Sequence, residues 1–292
     1  MSSIITIKSS DELSKYLDIK KELSVVYFGD SVEAQTEEIE RIAYMPAAVK
    51  NVVVFSKNAG KLNSDRFTAA EKPKKRILNA LTKNVIVLVN ADSALADAEN
   101  IIKRLIGYFE LADQMKINHV HKFANVQTAA FIISNDTSSE TFSDIAASLK
   151  AVLIKSPRKR TEFLYDLLCS RMDKEFSEKN YCQFENDTCI AARKGLTPHE
   201  TFGCCYSFKY SANPRRYIKD IKLCEKLNGK ECSTKCLICK LYTCDYLKKQ
   251  NIVFDLKKMP LSKCFFTRKQ IRIIRESFFM NREDILNKMM SS

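Results

Sequence analysis

The sequence predicts an α/β domain, a mostly parallel sheet flanked by helices and flavodoxin-like or Rossmann-like in plan, followed by a loop-rich and helical cysteine-rich domain. Three observations predict it. Short Val/Ile runs alternate with amphipathic stretches through the first half. Residues 1–152 contain no cysteine and carry 19 Lys+Arg against 19 Asp+Glu. Residues 153–292 hold all 11 cysteines, with 29 Lys+Arg against 16 Asp+Glu, so the whole net charge of +13 lies there. This step in composition divides the chain into 1–152 and 153–292, close to "IKSPRKR" (154–160), where Pro157 and a basic run break the pattern.

Each element of the first half has its own signal. "SIITI" (3–7) reads as a strand, and Ser10 then caps a helix. "LSVVYFG" (23–29) is a strand, and "SVEAQTEEIERIA" (31–43) is a helix with acids near its start, as the helix dipole favours. "NVVVFS" (51–56), "NVIVLVN" (84–90) and "TAAFIIS" (128–134) are strands whose near-continuous apolar runs suit burial on both faces. Residues 96–114 and 138–150 are the remaining helices. His119 and His121 in "NHVHKF" share one side of a strand if extended, where they read as exposed histidines or as a metal or phosphate site.

"VVYFGDSVEAQTEEIERIA" (25–43) resembles the strand–loop–helix that opens flavodoxin-type domains. The resemblance implies FMN, its phosphate held at the helix start with Ser31 and Thr36 as the hydroxyls to hand. The chain departs from that pattern. The second glycine is missing, and Asp30 and Glu33 would face the phosphate, whereas a phosphate loop needs free N–H groups and little negative charge.

The second half opens on an amphipathic helix, "RTEFLYDLLCSRMDKEF" (160–176), with Cys169 among its apolar positions as a core thiol. Ten further cysteines follow within residues 182–264, between polar loops, where a thin hydrophobic core is expected. No export signal opens the chain, which makes the reducing cytoplasm the expected location and metal a better staple than disulfides. The expected ligands fall into two groups. Cys182, Cys189, Cys204 and Cys205 form one; Cys232, Cys236, Cys239 and Cys244 form the other, with Cys224 as a substitute. His199 is a further candidate. Four thiolates suit tetrahedral zinc or an iron–sulfur cluster, and the uneven spacing of the second group leans towards the cluster. The alternative is packing: in one helix, positions 232, 236 and 239 would share a face.

The motifs "TCIA", "GCCYSF" and "CxxxCxxCKLxTCDYLKK" resemble a cysteine-rich domain in hypothetical proteins of anaerobic, clostridial-type bacteria, over residues 160–292. The resemblance implies a discrete domain and no particular reaction. No carboxylate pair, Ser/His/Asp set or glycine-rich loop stands out as a catalyst.

No stretch approaches a membrane span, so no membrane partner is expected. The excess charge suits nucleic acid. In "TRKQIRIIRESFF" (267–279), Ile271, Ile274 and Phe278 form an apolar stripe, and Arg268, Arg272 and Arg275 share a basic face. The leading expectation is a metal-binding, electron-transfer or redox protein, with a nucleic-acid-binding protein holding structural zinc as the alternative. An interaction protein on a degenerate α/β scaffold, with a protein partner, is a third class.

Overall fold

The computed structural model describes residues 4–16, 22–43, 49–57, 67–70, 81, 84–92, 98–117, 127–181, 184–185, 188–189, 226–228 and 231–292. The chain divides into two units, Met1–Lys155 and Ser156–Ser292.

In the first unit, apolar runs become strands because neighbours on both sides and helices on both faces bury them. Six strands form one sheet: β1 (Ile4–Ile7), β2 (Leu23–Ser31), β3 (Val49–Lys57), β4 (Phe67–Ala70), β5 (Asn84–Asn90) and β6 (Gln127–Ile133). Their order is β1-β6-β5-β2-β3-β4, and every neighbouring pair is parallel. The central pair, β2 and β5, runs in register from Leu23 opposite Asn84 to Phe28 opposite Val89. Alternate residues serve opposite faces. Val25 and Tyr27 join Ile39, Ile42 and Ala43 of α1 (Val32–Ala43) and Leu13 in one apolar layer. Phe28 and Phe55 stack at 5.1 Å, and Tyr108 of α2 (Ala98–Ile117) meets both rings. Helix α3 (Glu140–Leu153) is capped by Ser139, whose hydroxyl accepts from the Phe142 N–H.

These features establish an α/β domain on a parallel sheet. Three local readings change. Ser10–Tyr16 is a 3₁₀-helix, a single tight segment between two strands. Residues 67–70 form a strand, unexpected from "FTAA", which is short and half alanine, and among the described residues it pairs on one side only. Gly29-Asp30-Ser31 is not a loop but the end of β2, with α1 starting at the next residue.

The second unit is built on α4 (Pro157–Lys179), which Ser156 caps and Asn180 ends in the left-handed conformation at φ 48°. Two short hairpins follow, β7 (Phe184–Glu185) with β8 (Thr188–Cys189) and β9 (Leu227–Asn228) with β10 (Glu231–Cys232). Then come α5 (Leu237–Leu241), α6 (Asp245–Lys248), α7 (Pro260–Phe265), α8 (Arg268–Arg275) and α9 (Arg282–Met290). Thr267 and Gln270 complete a capping box on α8, and Asn281 caps α9 through the Asp284 N–H. Leu164, Leu168 and Met172 of α4 are buried, as are Leu237, Leu261, Ile274, Ile285 and Met289. Arg282 clamps α9 to α4 by two 2.7 Å bonds to the Asp166 carboxylate.

Candidate functional site

Cysteine 236 stands where three segments meet. It is the residue before α5, and Cys239 is the third residue of that helix. Tyr165 reaches over from α4 and fastens both sides of Cys236. Its hydroxyl donates to the Lys235 carbonyl at 2.9 Å and accepts from the Leu237 N–H at 3.0 Å. The third segment is the turn after α8. There the Cys236 thiol donates to the Ser277 carbonyl at 3.1 Å, and the Phe279 N–H donates to the Cys239 sulfur at 3.3 Å. Phe279 has φ 60°, in the left-handed region, where an aromatic side chain is strained.

The electrostatics separate the two thiols on this side of α4. Cys236 is pushed down from its ordinary value to about 7, chiefly because the Cys239 thiol donates to it. The N–H groups of Cys239, Phe279 and Met280 add to the effect, against a contrary push from burial. The Ser277 carbonyl favours the protonated form, but the donors outnumber it, so the thiolate direction holds. Cys169 goes the other way. It donates to the Lys235 carbonyl at 3.7 Å, and burial pushes it up to about 12. It is a core thiol, as its place among apolar residues of α4 suggests. Lys240, with its side chain 2% exposed, is ion-paired to Asp173 and opposes that upward push on Cys169.

The predicted ligands are thus brought together in part. Cys236 and Cys239 meet, and Cys244 is buried at the residue before α6. Cys232 is not on one helix face with them. It lies in β10, paired with Leu227, and the chain runs extended to Cys236 before turning helical. That shared helix face is therefore not formed, though Cys236 and Cys244 are each buried. The backbones of Cys189 and Cys232 lie in β8 and β10, but their side chains are outside the described residues, as are Cys182, His199, Cys204, Cys205 and Cys224. Among the described residues, no three His, Cys, Asp or Glu groups stand together as a metal site. Tyr165 was not foreseen; its partners lie 70 and 72 residues away, and nothing in the local pattern marks it.

In the first unit, the carboxyl ends of β2 and β5 carry a second polar group of residues. Tyr27 and Asn90 both donate to one Glu38 oxygen, at 2.8 and 2.7 Å. Burial, with the Glu38 charge second, holds the Tyr27 phenol well above its usual range, so it remains a donor. Asp92 receives the Asn135 N–H and the Ser134 hydroxyl. Gly29 lies below Gln35, whose Oε1 would be 1.8 Å from a Cβ there, and Arg104 of α2 donates to the Gly29 carbonyl at 3.1 Å. Thr36 is half-buried on α1, while the Ser31 side chain, His119 and His121 are outside the described residues.

No family model, no curated protein and no solved structure matches this chain. Among the described residues no helix is long and apolar enough to cross a membrane.

Proposed function

We propose that the second unit is a thiolate metal-binding module in which Cys236 and Cys239 supply two of the ligands. One observation carries the reading: Cys236 and Cys239 meet against the turn after α8, where the Phe279 N–H donates to the Cys239 sulfur at 3.3 Å and the Cys236 thiol reaches the Ser277 carbonyl at 3.1 Å. Sulfur that is to bind a cation must be deprotonated, and hydrogen bonds from N–H groups favour that form. A metal ion would replace the proton that the Ser277 carbonyl otherwise holds. The remaining ligands come from the other predicted thiols, Cys182, Cys189, Cys204, Cys205, Cys224, Cys232 and Cys244. Zinc would supply structure, and an iron–sulfur cluster would supply electron transfer. Tyr165 acts as an outer brace on the ligand loop.

The first unit is read as a Rossmann-like scaffold. Without β1, its strand order is the 3-2-1-4-5 of doubly wound sheets, with the switch between β2 and β5. FMN has little support there, because α1 follows β2 with no loop between them to wrap a phosphate.

Anaerobic purification and metal analysis test the proposal. Zinc, or iron with acid-labile sulfide, is expected in the wild type and is lost from the Cys236→Ser/Cys239→Ser variant. Wild-type protein carrying neither, or a variant that keeps its full metal content, ends the reading.

A further inference from the structure

The longest run of one charge sign with described surroundings is in the second unit, away from any role yet given to it. Residues 256–275 contain seven Lys+Arg and no Asp or Glu. Helix α8 carries four of these cations, and Arg268, Lys269, Arg272 and Arg275 are all exposed. Arg268, Arg272 and Arg275 are spaced i, i+4 and i+7, so they line one side of the helix over about 10 Å.

Three surroundings decide what such a face fits. First, the helix is anchored: Ile274 is 0% exposed, and the capping box fixes its first turn. Ile271 and Ile273 beside Ile274 are half-buried, so the helix offers little apolar surface to a lipid. Second, the nearest acid, Glu276, pairs with Arg272 at 2.8 Å, with both side chains mostly exposed, which makes it a weak partner that a phosphate can displace. Guanidinium groups bind phosphate oxygens in pairs, which favours an arginine row over a lysine row for this ligand. Third, Phe279 follows four residues after Arg275 and is 40% exposed. Its N–H bond to the Cys239 sulfur holds that backbone in place, and the Phe278 ring lies beside it at 6.2 Å. An exposed aromatic residue four positions beyond a cationic row is a combination that suits single strands, by base stacking and phosphate contact.

We propose that the exposed face of α8, extended by Phe279, is a single-stranded nucleic-acid-binding surface without sequence preference. It stands independently of which metal, if any, the thiolates hold.

Fluorescence anisotropy on the full chain tests it, with a labelled single-stranded oligonucleotide of about 20 nucleotides, as DNA and as RNA. Binding is expected at about 50 mM salt, falling steeply by about 200 mM. The Arg268→Ala/Arg272→Ala/Arg275→Ala variant should weaken binding at least about tenfold and flatten the slope of log K against log[salt] by about 2, the value for three phosphates on a single strand. Phe279→Ala should weaken binding while leaving that slope unchanged. Metal content and circular dichroism unaltered in the arginine variant separate this result from failure of the thiolate site. The proposal is overturned by no binding at the lower salt, or by a triple variant that binds like the wild type. It is also overturned if vesicles of one part phosphatidylserine to two of phosphatidylcholine compete as well as the oligonucleotide does, which would make the face a lipid contact.

Discussion

Cys236 and Cys169 should give the metal-free second unit opposing pH responses. Folding lowers Cys236 from an ordinary value of 9 to about 7. Between these values the unfolded chain holds a proton that the folded one has lost. Stability therefore rises with pH across that window, and is lost as pH falls through 7. Folding raises Cys169 from 9 to about 12, so stability falls as pH rises through that second window. Urea midpoints of reduced, metal-free protein should peak near pH 9, and Cys236→Ser should flatten the rise below it. A curve falling steadily from pH 7 would contradict the thiolate nest. Tyr165→Phe leaves the Leu237 N–H without its partner and the Lys235 carbonyl with only the Cys169 thiol at 3.7 Å, a cost of about 1–3 kcal/mol by urea unfolding. It should also loosen metal about tenfold or more, as loss of an outer brace does. Unchanged metal affinity would reduce Tyr165 to a packing residue.

Strands β5 and β6 were legible because burial on both faces demands continuous apolar runs, and "NVIVLVN" and "TAAFII" supply them. Helices α4 and α8 were legible for a different reason: their apolar stripes are local. β4 was not, since its four residues, half of them alanine, carry little pattern. The Cys236–Cys239 pair was visible as spacing. The hairpin that takes Cys232 off the helix was not, nor was the turn after α8 that supplies N–H groups from 40 residues away. At the end of β2, α1 sits so close that Gly29 is the only residue with room. A Cβ would meet Gln35 Oε1 at 1.8 Å and the Tyr27 ring at 2.8 Å. Gly29→Ala should cost about 1–3 kcal/mol. Adding Gln35→Ala removes the movable obstacle and should recover part of that loss. A Gly29→Ala protein with an unchanged urea midpoint would show that the contact is looser than it looks.

The two units should answer a chelator differently. The first holds its core with Val, Ile, Leu and aromatic side chains and contains no cysteine. Stripping metal should leave amide hydrogen exchange in β2, β3 and β5 unchanged. In the second unit, protection should fall around residues 231–244, while α4, α7 and α9 keep theirs, because they share the buried apolar side chains described above. Equal loss of protection in both units would mean that they unfold as one. The parallel sheet also sets a condition on how the chain is made. Among the described strands, β1 comes first but bonds only to β6, whose last residue is Ile133. A ribosome therefore releases β1 long before its neighbour exists. For most of the first unit's synthesis the nascent sheet has an open flank, and a message cut short before codon 127 would yield a product prone to clumping or capture by chaperones.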